Sequence, residues 1–81
     1  MTCSICVLRV PEFDAVVREL SALDGVSVVE HGDYVVAEAN GEIALSRAAT
    51  GVGQAVWFGA LTGGMSGTLL EFSEDTLRLA P

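Results

Sequence analysis

Apart from four arginines, the titratable side chains of this chain are two thiols, one imidazole, one phenol and eleven carboxylates, and there is no lysine. The two thiols lie close together in sequence, in Met1-Thr2-Cys3-Ser4-Ile5-Cys6. A pair of thiolates suits a soft monovalent metal. However, Ser4 to Val10 is an apolar, β-branched run, and on a strand residues three apart face opposite ways with Cα atoms roughly 10 Å apart, too far for a disulfide or a shared ion. The expectation is therefore a buried Cys3 or Cys6 acting as a small hydrophobe in a reducing compartment. His31 stands in a His31-Gly32-Asp33 turn without the positioned partner that a general base needs, so it reads as an exposed turn histidine. The carboxylates are scattered without the spacing of a calcium loop. Gly51-Val52-Gly53 and Gly63-Gly64 are followed by no lysine and open no clear helix, unlike phosphate loops. The inventory predicts no catalytic residue, no cofactor site and no metal site.

The elements that would position these groups start with a strand over Ser4–Val10, ended by Pro11. Phe13, Val16, Val17, Leu20 and Leu23 then fall at helical spacing behind Glu12 and Asp14, and Gly25 is placed to terminate, so an amphipathic helix of about three turns follows. Val26–Glu30 reads as the next strand. From Tyr34 to Arg47 two alternating runs flank Asn40-Gly41, the dipeptide preferred in type I′ turns, and predict a tight hairpin with Val35, Ala37 and Ala39 facing opposite to Tyr34, Val36 and Glu38. Ala48 to Gln54 allows a short helical turn or an irregular loop. Ala55–Leu61, AVWFGAL, is apolar almost throughout and by its length favours a strand, with either Trp57 or Phe58 in the core and the other facing solvent or a partner. Thr62 to Gly67 reads as a flexible turn, and Thr68–Phe72 with Thr76–Leu79 as a second hairpin through Ser73-Glu74-Asp75. No internal repeat is visible. The fold class expected is α+β: one small domain over residues 1–81, running β-α-β-β-β, then a short irregular or helical link and further antiparallel strands.

Eighty-one residues, 51% of them hydrophobic, suffice for a single modest core. A net charge of -7 repels phosphate backbones and anionic membranes, which argues against nucleic acid and membrane surfaces as partners. The apolar runs are too short for a membrane span, and no basic segment precedes a long apolar one at the N-terminus, so a cytoplasmic location is expected.

Two family resemblances follow from these residues. Met1-Thr2-Cys3-Ser4-Ile5-Cys6 resembles the copper loop of heavy-metal-associated domains, although there a strand precedes the motif and the helix begins at its second cysteine. The wider pattern resembles the small effector, or coupling, proteins of bacterial multicomponent soluble diiron monooxygenases. It comprises a helix ending at Asp24-Gly25-Val26, a tyrosine-led strand at Gly32-Asp33-Tyr34-Val35-Val36-Ala37-Glu38-Ala39, and Gly41-Glu42-Ile43-Ala44-Leu45-Ser46-Arg47. Leu61, the turn Gly63-Gly64-Met65-Ser66, Gly67 and the apolar-acidic pair Thr68–Phe72 and Asp75–Leu79 complete it. The effector family carries a longer helical segment between its arginine and the next strand than Ala48–Gln54 suggests.

The second resemblance implies a cofactor-free, non-catalytic regulatory protein that binds the hydroxylase component above its diiron centre and modulates substrate access and electron delivery. It places partner contact at Gly63, Gly64, Met65 and Ser66. A glycine-rich turn after an apolar segment also fits docking on physical grounds, because no Cβ atoms keep another backbone away. The alternatives are a Cu(I)-handling domain using Cys3 and Cys6, and a small ferredoxin-like chaperone that would share the β-α-β opening and bind a peptide.

Overall fold

The computed structural model describes the whole chain, Met1–Pro81. Strand β1 (Cys3–Leu8) alternates buried and less buried residues, as a strand with one face on a core must. A 3-10 turn at Pro11–Phe13 leads into helix α1 (Asp14–Ala22), where Val16 and Leu20, four residues apart, are fully buried. Leu23 leaves the helix in an extended conformation and Gly25, at φ +77°, turns the chain into β2 (Val26–His31). Strand β3 (Tyr34–Ala39) follows through a two-residue turn whose first residue, Gly32, has φ +63°, as a type II′ hairpin turn requires at that position. Then come β4 (Ile43–Ser46), α2 (Arg47–Thr50), α3 (Gln54–Leu61), β5 (Met65–Ser66), β6 (Thr68–Phe72) and β7 (Thr76–Ala80). The architecture is α+β: two wholly antiparallel sheets, of order β2-β3-β1-β5 and β4-β7-β6, with helices packed against them.

The same unit occurs twice. In β1-α1-β2-β3 a helix joins the first two strands and the third lies between them; in β4-α2-α3-β6-β7 the connection differs in detail, but β7 again lies between β4 and β6. The repetition lies in topology and not in sequence. One buried cluster serves both units, joining Ile5, Val7 and Leu20 to Ile43, Trp57, Leu61, Leu77 and Leu79. No helix is long and apolar enough to cross a membrane.

Three expectations are corrected. Ala55–Leu61 is not a strand: Gln54–Leu61 is helix α3, with Trp57, Ala60 and Leu61 buried at the i, i+3, i+4 spacing of one helical face. An apolar run without alternation carries no period by which strand and helix can be told apart. Trp57 is indeed in the core and Phe58 partly exposed, but through helical rather than strand geometry. The hairpin at Asn40-Gly41 does not form either. Strand β3 has both edges occupied, by β1 and β2, while β4 pairs with β7 in the other sheet, so Asn40-Gly41-Glu42 is a link between sheets and Gly41 has no positive φ. The facing of the first arm does hold, with Val35, Ala37 and Ala39 buried. Finally, the turn expected over Thr62–Gly67 is shorter, because Met65 and Ser66 form β5 against Ile5 and Ser4.

At Gly67, with φ +132°, the chain leaves the first sheet at β5 and enters the second at β6. A Cβ there would collide with the Ala80 carbonyl oxygen and come within 2.8 Å of the Cys3 Cβ. Only glycine fits both the backbone angle and the space. Segment 48–54 resolves into the end of α2, stopped by Gly51 at φ +75°, and a short link to α3.

Candidate functional site

The four residues singled out for partner contact lie where α3 ends and the chain returns to the edge of the four-stranded sheet. The Cys6 amide donates to the Gly64 carbonyl at 2.9 Å, and β5 then pairs Met65 with Ile5 and Ser66 with Ser4. The turn is thus held against β1. Gly63 lies so close to that strand that a Cβ would stand 2.9 Å from the Cys6 carbonyl oxygen and 4.0 Å from the Tyr34 ring. Gly64, at φ +142°, sits 3.9 Å by the same measure from the Cys6 Cβ. Both glycines therefore have a structural reason to be glycine, and they leave backbone uncovered beside Cys6 and Tyr34. Gly63 is exposed and Met65 packs partly against the core.

Strand β1 separates the two cysteines. Cys3 is buried, with its thiol 3.2 Å from the Gly41 carbonyl oxygen and 3.7 Å from that of Leu79, and it donates into the seam between the two sheets. Cys6 is on the other face, half-buried, opposite Val36. Their thiols diverge, so this arrangement offers one ion no pair of sulfurs. His31 is exposed at the end of β2 opposite Tyr34. A solvent-open cleft of about 300 Å³ lies between the end of β1, the first turn of α1 and β2, with Arg9, Asp14 and Glu30 as its charged lining. Arg9 is already committed there, donating to the Gly32 carbonyl at 3.0 Å and standing 3.6 Å from Glu30.

Glu42, Arg47, Trp57 and Arg78 have structural roles that the sequence alone does not announce. Glu42 takes a bidentate pair of hydrogen bonds from Arg78 across β4 and β7, at 3.0 and 3.2 Å, which holds its carboxyl below the usual carboxylate range and raises Arg78 in turn. Arg47 closes the second unit: its guanidinium donates to the carbonyls of Glu74 and Val52 and to the Asp75 carboxylate, tying the end of β4 to the β6–β7 turn. Trp57 reaches the same turn through an indole donation to Ser73 at 2.9 Å. Apart from the Arg47–Val52 contact, five residues apart, local spacing carries no sign of these pairings, because the partners lie between 16 and 36 residues apart.

No family model matches the chain, and no curated protein matches it significantly.

Proposed function

We propose that this chain is a non-catalytic, cofactor-free coupling protein that docks on the hydroxylase of a multicomponent diiron monooxygenase and adjusts substrate access and electron delivery there. The observation that carries the reading is the helical segment between Arg47 and the next strand. Resemblance to the effector family requires helix at that place, and α2 with α3 spans Arg47–Leu61 up to the Gly63-Gly64 turn. The turn supports docking because it is braced on β1 while exposing backbone, so a partner meets a preorganised surface and little ordering entropy is lost. A regulatory effect requires the chain to bind one hydroxylase state better than another; a tenfold shift corresponds to about 1.4 kcal/mol of differential affinity.

The test is reconstitution. A diiron hydroxylase and its reductase are assayed with and without the chain, with product formed per NADH consumed as the readout. The reading expects coupled turnover to rise saturably with added chain, equally well for Cys3→Ser. Unchanged turnover and no binding by calorimetry would remove it; stoichiometric Cu(I) held by both thiols would favour metal handling instead.

A further inference from the structure

The face of the four-stranded sheet turned away from α1 carries an apolar patch that the coupling role leaves unassigned. Strand register places Cys6, Val36 and Val29 side by side in one row, and Leu8, Tyr34 and His31 in the next. Val29 is 62% exposed, Tyr34 43% and Leu8 38%, although an ordinary solvent face of an antiparallel sheet is polar. The patch runs without a break into the Gly63-Gly64 backbone, which abuts Cys6 and Tyr34. Charge restricts what can cover it. Arg9, Arg47 and Arg78 are paired with Glu30, Asp75 and Glu42, which leaves Arg18 alone against the eight other carboxylates of the eleven. Glu38 lies one row along on the same face and Asp33 in the turn at its end.

Resting on the coupling role above, we propose that this sheet face, together with Gly63-Gly64, is the surface seated on the hydroxylase, and that the hydroxylase meets it with an apolar centre rimmed by lysine and arginine. A second copy of the chain is a poor occupant, since it would bring a further charge of -7 to an acidic surface.

The experiment titrates the diiron hydroxylase of the reconstitution above with three folded proteins, each checked by circular dichroism: wild type, the double variant L8R/V29R on the patch, and L70R on the exposed edge strand β6 of the other sheet. L8R/V29R is expected to weaken binding by about tenfold or more, and L70R to stay within about twofold of wild type. Raising NaCl from about 0.05 to about 0.5 M is expected to weaken wild-type binding by about tenfold. Equal weakening by the two variants, or salt-independent binding, overturns this surface and its basic partner while leaving the coupling role standing. No wild-type binding overturns both, and a wild-type dimer in sedimentation that L8R/V29R dissolves assigns the patch to self-association instead.

Discussion

Gly67 concentrates several demands in one residue. Its φ of +132° is strained for any L side chain, and a Cβ would press on the Ala80 carbonyl and the Cys3 Cβ at once. Gly67→Ala is therefore expected to destabilise by about 2–4 kcal/mol in urea unfolding, whereas Gly41→Ala, with nothing within 4 Å of its Cβ and no positive φ, is expected to change stability by no more than about 0.5 kcal/mol. Equal losses would show that the bend at Gly67 relaxes freely. Glu42 sets a pH dependence of definite sign. Its folded pKa is lowered, chiefly by the hydrogen bond from Arg78, so its contribution is present above the unfolded carboxylate value of about 4.3 and is lost as pH falls through the lower folded value. Glu42→Gln should flatten the stability curve below that pH. The effect is small and should shrink in salt, because the pair is solvent-exposed. None of this was legible in the sequence: glycine at 67 looked like one of several in a turn, and Glu42 and Arg78 are 36 residues apart.

At the scale of elements, the legible parts were those with a clear period. Helix α1 has apolar residues at helical spacing with a proline before and a glycine after, and β6 and β7 flank a turn in which the Ser73 hydroxyl accepts from the Asp75 and Thr76 amides. Helix α3 was illegible because its residues are apolar on every side; only the burial of Trp57, Ala60 and Leu61 reveals the helical face. The predicted consequence is that Trp57 secures α3 twice, by volume and by its bond to Ser73. Trp57→Phe should cost about 1–2 kcal/mol and Trp57→Ala about 3–5 kcal/mol in chemical denaturation. If Trp57→Phe were neutral, the indole bond to Ser73 would contribute nothing net.

For the whole molecule, the misleading signal was Asn40-Gly41, whose turn chemistry is local while strand pairing is decided by the entire chain. Once β1 and β2 occupy both edges of β3, β4 has to pair elsewhere, and β7 receives it. For the candidate site, the sequence showed the glycine turn but not the sheet face beside it, because that face exists only when Cys6, Val36 and Val29 are brought into one row. The single core also means that neither β-α-β-β unit holds enough apolar contact by itself. Peptides 1–41 and 42–81 are each expected to be unfolded alone and to regain structure on mixing, as read by near-ultraviolet circular dichroism of Trp57. A folded 42–81 fragment would show instead that the second unit is autonomous.

The thiol of Cys3 resting against the Leu79 carbonyl also brings the start of the first strand to the end of the last, on a chain that consists of two like-ordered units joined by the short link Asn40-Gly41-Glu42. Linear order is thus separable from spatial order. A circular permutant that begins at Gly41, runs through β7, crosses a short glycine linker to β1 and ends at Asn40 would keep every strand pairing and simply exchange which unit is made first.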